Sequence, residues 1–246
     1  MSTVFETALK GKHLVIVGGS SGMGKATAKM AAALGAKVTI ASRNPAKLQA
    51  AADEIGGGVK AAPVDTTQEA DVKSWVGGLG PVDHLVITAS SAAHGAFMDL
   101  PTDDLRDMVE AKFLGPYVAA REVLPVLSNG GSITLFSGVL SRRPSAGATG
   151  LGAVNAAVEA LAKGLALELS GRARVNCISP GMVATEAYAA MPDAAREDMY
   201  AQVGGRLPVG RVGEAQDVAQ AVIMAMTNEF LTGTVLDVDG GHLVRD

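Results

Sequence analysis

The sequence contains few cysteines and few aromatic residues. Cys177 is the only cysteine among 246 residues, and aromatic residues make up 4% of the chain. One cysteine excludes an internal disulfide and a zinc site built from several thiolates, and this usage suits a reducing compartment. Because 48% of the residues are nevertheless hydrophobic, the composition predicts a single domain, residues 1–246, with an aliphatic and alanine-rich core.

Long uncharged hydrophobic runs and an excess of positive charge are also missing. No stretch reaches the roughly 18 apolar residues that span a bilayer, and the opening run MSTVFETALKGKH contains Glu6 and no apolar signal core. We therefore expect a cytoplasmic protein without a membrane partner. The net charge is −4 and the basic residues are scattered among acidic ones, so we expect no nucleic-acid partner either.

Short strand patterns alternate with longer helical patterns along the chain. The strand patterns lie at 13–17, 37–42, 58–64, 84–89, 132–136, 174–178 and 234–238, and the helical patterns at 23–34, 45–54, 67–76, 102–128, 150–170 and 215–226. Such alternation requires right-handed crossovers between parallel strands. It predicts an α/β fold, a Rossmann-like doubly wound parallel sheet of seven strands with helices on both faces.

One region, residues 180–213, departs from this alternation. It is bounded by glycine and proline and is rich in small residues. We expect a mobile flap of one or two short helices over a substrate pocket, although a surface excursion without function fits the same composition.

A glycine-rich turn follows the first strand pattern. Gly18, Gly22 and Gly24 flank Ser20 and Ser21, and a helix of small residues begins there. Glycines in this position allow a ligand to approach the backbone closely, and the helix N-terminus offers unpaired N–H groups to an anion. The turn therefore predicts a pyrophosphate site.

The end of the second strand pattern indicates which dinucleotide is bound. Enzymes that select NAD usually place an acidic side chain here to bind the ribose 2′-hydroxyl, but this chain has Ser42 and Arg43. A guanidinium forms charge-assisted hydrogen bonds with a 2′-phosphate, whereas a carboxylate would repel it. NADP(H) is thus the predicted cofactor, and a solvated surface arginine is the alternative.

These motifs together resemble the short-chain dehydrogenase/reductase family over essentially the whole chain. The family turn TGxxxGxG is matched by 17–24 except for Val17, and 180–185 and 238–241 match segments along the nicotinamide and in the last strand. The resemblance implies an oxidoreductase. The implied cofactor contacts are Gly18, Ser20, Ser21, Gly22, Met23, Gly24, Ser42, Arg43, Asp65, Ala89, Asn155, Pro180, Gly181, Val183 and Thr185.

The catalytic residues of that family are absent. Gly138 stands at the serine position, Leu151 at the tyrosine, Asn155 at the lysine, and Lys112 at the asparagine. The helical stretch 148–169 that holds Leu151 is almost entirely apolar, with Glu159 and Lys163 spaced for an i,i+4 pair. Since a positioned general acid contributes about 10²–10⁴-fold to rate, ordinary carbonyl reduction is disfavoured.

Three functions remain open. In the first, the protein reduces a C=N or conjugated C=C bond, for which the acid is dispensable. In the second, replacement residues supply the groups that reduce a carbonyl. In the third, the protein binds NADP(H) without catalysis, as a redox sensor or a partner subunit. The candidate catalytic residues are Lys112, Ser137, Asn155, His94 and Tyr188, with Ser90, Ser91 and Arg142 as further candidates for a rebuilt site.

Two helical patterns, 102–128 and 150–170, are more apolar than one sheet face requires. Excess apolar helix surface needs a cover. Members of the family commonly pair these helices across a two-fold axis, so we expect a homo-oligomer, a dimer or a dihedral tetramer, acting on a small molecule.

Overall fold

Seven parallel strands form the sheet on which the rest of the molecule is built. The computed structural model describes residues 8–88 and 91–245. The nine strands are His13–Val17 (β1), Lys37–Ser42 (β2), Lys60–Pro63 (β3), Val82–Ile87 (β4), Leu127–Phe136 (β5), Ala173–Pro180 (β6), Val183–Ala184 (β7), Gly213–Glu214 (β8) and Val235–Val238 (β9). The sheet order is β3-β2-β1-β4-β5-β6-β9. The chain therefore switches direction between β1 and β4, which opens a crevice at their carboxyl ends.

Helices cover both faces of this sheet, as the alternation predicts. They are Gly22–Ala33 (α1), Pro45–Ile55 (α2), Glu69–Gly77 (α3), Thr102–Val109 (α4), Gly115–Val123 (α5), Thr149–Glu168 (α6), Asp193–Gly204 (α7) and Ala215–Thr227 (α8). One core joins α1, α2 and α8 to the sheet, and a second joins α3, α5 and α6 to its other face. The doubly wound fold is confirmed.

The predicted helix 102–128 is wrong at its C-terminal end. A π-helical turn, Glu110–Leu114, joins α4 to α5, and a 3₁₀ turn, Leu124–Val126, ends the helical path. Leu127 already belongs to β5, where it pairs with Val82. The end of this helix is set by strand pairing across the sheet, which cannot be predicted from local apolar periodicity.

Helix α6 packs along the sheet through one side. Leu151, Val154, Val158 and Ala162 are buried on it. Among the described residues it is the one helix long and apolar enough to span a membrane by length and composition, a test that core helices of globular proteins also meet. The predicted Glu159–Lys163 pair is wrong, because Glu159 is turned inward and only 6% exposed.

The segment 180–213 contains short elements. Strands β7 and β8 pair in parallel, and between them lie a 3₁₀ turn, Glu186–Tyr188, and helix α7. The side chains of Tyr188 and Tyr200 meet edge to face at 5.7 Å between ring centroids. This pair attaches the 3₁₀ turn to α7.

The burial of His84 leads to a prediction of how the free energy of unfolding depends on pH. Its Nδ1 lies 2.9 Å from Ser132 Oγ across β4 and β5, and burial lowers the pKa of His84 to about 4. Between pH 6.5 and 4 the unfolded chain binds a proton that the folded chain does not. The free energy of unfolding should therefore fall by about 2 to 3 kcal/mol as the pH decreases through this window.

Denaturant unfolding at several pH values checks this expectation. His84→Asn, which retains a hydrogen-bonding group for Ser132, should flatten the decline, while replacement of the exposed His94 by asparagine should leave it intact. An unchanged slope in His84→Asn would refute the assignment.

Candidate active site

The glycine turn after β1 is shaped by close backbone contacts. Gly18 adopts a φ of +85°, a conformation that favours glycine. A Cβ atom on Gly24 would lie 2.4 Å from the carbonyl oxygen of Gly18 and 2.6 Å from Thr88 Oγ1. Only glycine fits there, so α1 starts directly against the end of β1.

Helix α1 begins with backbone N–H groups that its own first residues do not cap. Ser21 is the N-cap residue, yet its side chain makes no capping hydrogen bond. The amide of Gly22 instead donates to Glu186 Oε2 at 2.8 Å, from the 3₁₀ turn that follows β7. A carboxylate thus binds at this helix N-terminus, as expected for an anion site. Ser20 and Met23 are partly exposed beside it.

The end of β2 has no carboxylate bound to it. Arg43 is exposed, and within the described ranges it forms no ion pair. Ser42 Oγ is buried and has no hydrogen-bond partner among those residues. Asp65, after β3, accepts hydrogen bonds from the amide and hydroxyl of Thr67 at 3.0 and 2.8 Å. Within the part of the chain that the structure describes, the end of β2 therefore has a guanidinium without an ion-pair partner, from Arg43, next to the unpartnered hydroxyl of Ser42.

The segment after β6 lies against the glycine turn. The amide of Gly181, which follows Pro180, donates to the carbonyl oxygen of Val238, and Val183 is buried in the small sheet of β7 and β8. Thr185 carbon atoms lie 3.4 Å from the position that a Cβ on Gly22 would occupy. Two segments far apart in sequence thus form one side of the crevice.

Leu151 occupies an apolar cluster rather than a polar site. It is 8% exposed and packs with Met108 and Val154, which are also buried. The residues packed around this cluster are Ala93, Leu100, Leu105, Val109, Phe113 and Leu140. At the position that the sequence assigns to the acid, Leu151 therefore packs against hydrocarbon and thioether side chains of the described residues.

Asn155, one turn after Leu151, binds the backbone at the emptied serine position. Its Nδ2 donates to the carbonyl oxygen of Gly138 at 3.3 Å, and its Oδ1 is buried without a partner among the described residues. A Cβ on Gly138 would lie 3.0 Å from Asn155 Nδ2. Gly138 and Asn155 are therefore a matched pair, since a serine at 138 would crowd the amide.

Behind this pair lies a polar cluster that the sequence analysis missed. Glu159 Oε1 accepts hydrogen bonds from Ser137 Oγ at 3.0 Å and Ser141 Oγ at 2.6 Å. Leu151, Asn155 and Glu159 follow one another at intervals of four residues, so they share one side of α6. The four-residue spacing is the sequence signal for this cluster, whereas the i,i+4 pattern alone favours a pair with Lys163.

Lys112 is buried in the same region, 6% exposed, at the π-helical turn. Its Nζ donates to the carbonyl oxygen of Ser137 at 3.2 Å, and burial lowers the pKa of Lys112 to about 8. Burial raises the pKa of the nearby Cys177 thiol to about 11, so this cysteine stays protonated near neutral pH. Ser137 thus directs both its hydroxyl and its carbonyl into the protein.

Arg142 is already paired with anionic side chains. Its guanidinium binds both carboxylate oxygens of Asp237, donates to Ser179 Oγ at 2.9 Å and lies 3.7 Å from Glu159. The hydrogen bonds to Asp237 raise the pKa of Arg142 further. An arginine paired in this way is a weak candidate for attracting an anionic substrate.

The remaining described candidates lie in a loop and in a 3₁₀ turn. His94 is exposed in the loop after β4, next to Gly95, whose amide donates to Gly147 O at 2.9 Å. Tyr188 is half-buried against Tyr200, and burial raises the pKa of Tyr188. Ser91 is partly exposed. Ala89 and Ser90 lie outside the described residues.

The chain is similar to known proteins over nearly its whole length. A family model described as enoyl-(acyl carrier protein) reductase matches residues 17–242. The short-chain dehydrogenase/reductase ATR9 of Stachybotrys chlorohalonatus is 32% identical over 96% of this chain and 99% of its own.

Two solved structures share the fold over nearly the whole chain. A small-chain dehydrogenase in complex with NADPH is 37% identical, with a TM-score of 0.82, over 96% of this chain and 100% of its own. The MalC reductase/Diels-Alderase from Malbranchea aurantiaca is 27% identical, with a TM-score of 0.91, over 98% and 100% of the respective chains. With the crevice and the glycine turn described above, these matches identify the chain as a member of the short-chain dehydrogenase/reductase family.

Proposed function

We propose that this protein is an NADP(H)-dependent oxidoreductase that reduces a C=N or conjugated C=C bond of a small molecule. The observation that supports the proposal most strongly is the burial of Leu151 in an apolar cluster at the family's acid position. An iminium ion that accepts a hydride becomes a neutral amine and needs no proton. A conjugated C=C bond gives an enolate, which solvent protonates later. The description of the matching family model names an enoyl reductase, whose substrate is of this second class.

The described residues fit NADP(H) as the cofactor. When bound, NADPH supplies a hydride from its nicotinamide ring. The amides of Gly22 and Met23 would hold the pyrophosphate, at a helix start that Gly24 places directly against the end of β1. Arg43 and the unpaired Ser42 hydroxyl would bind the 2′-phosphate. The solved small-chain dehydrogenase that contains NADPH supports this assignment.

Other candidates would complete the nucleotide contacts. Asn155, whose Oδ1 is buried without a partner among the described residues, is the proposed contact for a ribose hydroxyl. The remaining proposed contacts are Ser20, Ser21, Asp65, Ala89, Pro180, Gly181, Val183 and Thr185.

The catalytic contribution of the chain is then mainly to position the substrate and exclude water. The Leu151 cluster would give a substrate an apolar wall, and a dry wall strengthens electrostatic interactions beside it. The ammonium of Lys112 is engaged with Ser137 O, so its proposed role is to fix that strand end. His94 and Tyr188 remain the groups with a titratable proton at the rim.

The protein is also proposed to self-associate, in the reducing cytoplasm that its cysteine usage suits. Leu114 and Tyr117 are exposed beside Phe113, and together with Ala157, Ala160 and Leu161 they line an apolar groove between the π-helical turn, α5 and α6. A second copy of the same surface would cover it across a two-fold axis.

Reversing the charge of Arg43 tests the cofactor assignment. Arg43→Glu should weaken NADPH binding by about tenfold to a hundredfold, because one charge-assisted interaction is lost and a repulsive one is added. NADH binding should change little, and Lys37→Glu, at the opposite end of β2, should affect neither nucleotide. Equal losses for NADPH and NADH in a fluorescence titration would show that Arg43 does not contact the 2′-phosphate.

The reaction class is tested by NADPH consumption with a substrate panel. Cyclic imines and enones should be reduced faster than simple ketones, for which no positioned acid is available. Ketone reduction at rates typical of the family would contradict the proposal. Tight NADPH binding without consumption across the panel would instead indicate a silent nucleotide-binding protein.

A gain-of-function variant provides the matched control for that panel. Leu151→Tyr combined with Asn155→Lys restores the family's acid and its cation, and should raise ketone reduction by roughly 10²-fold or more. Leu151→Phe with Asn155→Lys has the same ring and no hydroxyl, so it should not. A similar ketone rate in the two variants would show that the missing phenol is not what limits this chemistry.

Self-association is tested by adding a charge to the groove. Ala160→Glu places a carboxylate on an exposed position of α6, so the fold is retained while the apolar contact is broken. Light scattering after gel filtration should give a smaller particle than the wild type. Ala50→Glu, exposed on α2, should leave the particle unchanged, and a monomeric wild type would contradict the proposal.

A further inference from the structure

A carboxylate of the chain itself is bound at the start of α1. Glu186 Oε2 accepts a hydrogen bond from the Gly22 amide at 2.8 Å, and Glu186 Oε1 lies 3.4 Å from Lys25 Nζ. Burial opposes ionisation of this carboxyl, but the amide hydrogen bonds and Lys25 outweigh it and hold the pKa of Glu186 below its usual range. Glu186 is therefore an anion near neutral pH.

This contact involves the same backbone group that the proposed function assigns to the cofactor. The first amides of α1 point out of the helix and have the positive end of its dipole behind them. A phosphate at this helix N-terminus and the Glu186 carboxylate would be two anions sharing one small site. They repel each other and compete for the same donor.

Lys25 connects the contact to the rest of the helix. Its Nζ lies 3.2 Å from Glu54 Oε2 as well as 3.4 Å from Glu186 Oε1, so it bridges α1, α2 and the 3₁₀ turn after β7. If Glu186 leaves, Lys25 keeps one carboxylate and retains hydrogen-bonding capacity for a phosphate.

The contact also holds the start of the segment 180–213. Glu186 directly follows Thr185, whose side chain lies beside Gly22, and the 3₁₀ turn that contains it ends at Tyr188, packed on Tyr200 of α7. Displacing one carboxylate would therefore loosen the attachment of this segment to α1.

We propose that Glu186 is an autoinhibitory latch, an internal anion that the phosphates of NADP(H) must displace, so that cofactor binding releases residues 185–188 from α1. This inference rests on the proposed function, because it requires the nucleotide to bind at the glycine turn. It assigns the chain a weaker affinity for NADP(H) than the same turn would have without Glu186.

Calorimetric titration with NADPH tests the latch. Glu186→Gln removes the charge and Glu186→Ala removes the acceptor as well, and both should bind NADPH roughly threefold to tenfold more tightly than the wild type. Glu54→Gln removes the other carboxylate from Lys25 without touching Gly22 and should change the affinity less. In the free protein, amide hydrogen exchange over 183–188 should be faster in Glu186→Ala than in the wild type.

The outcomes separate the two proposals. If the wild type binds NADPH and both Glu186 variants bind it equally well or more weakly, the latch is overturned and the proposed function stands. Absence of NADPH binding by the wild type and both variants overturns the proposed function and the latch together. If the two Glu186 variants bind NADPH and the wild type does not, the carboxylate of Glu186 blocks the site completely, which supports the latch.

Discussion

Backbone N–H groups at the start of α1 need hydrogen-bond acceptors and favour an anion, and the arrangement of the crevice depends on that preference. Ser21 does not cap the helix, and the close packing of Gly24 on Gly18 brings the helix end directly against β1. The resulting positive site is satisfied by Glu186 from the other side of the crevice. The same physical demand explains why a dinucleotide would bind here and why the chain supplies a carboxylate of its own.

The second constraint is the redistribution of polar groups around α6. The positions that the sequence analysis assigns to the acid and its cation hold Leu151 and Asn155. The next residue on that side, Glu159, accepts hydrogen bonds from Ser137 and Ser141 in the interior. Lys112 and Arg142 are likewise engaged with protein groups. The polar side chains in this region thus hydrogen-bond to protein groups near the end of β5. The glycine turn thus has features that suit a nucleotide, and the position that the sequence assigns to the acid holds a leucine.

The sequence predicts the fold well because its signals are local. Alternating apolar runs set seven strands and their helices, and the glycine turn is recognisable from its spacing alone. The helix predicted to reach 128 ends early because Leu127 pairs with Val82, a contact between distant segments. Tertiary packing likewise decides where the side chains of Lys112 and Glu159 point. It also decides the contact between Gly22 and Glu186, which are 164 residues apart. A residue list from motifs therefore identifies the cofactor turn but not which candidate side chains face it.

In the proposed reaction, hydride is transferred without a proton from the protein. NADPH deuterated at nicotinamide C4, with a cyclic imine as substrate in H₂O and in D₂O, tests this reaction. We expect deuterium on the carbon of the amine product, a primary isotope effect from the labelled cofactor, and a solvent isotope effect near one. A rate that falls about twofold or more in D₂O with unlabelled NADPH would reveal proton transfer at the transition state and would contradict hydride transfer without a protein acid.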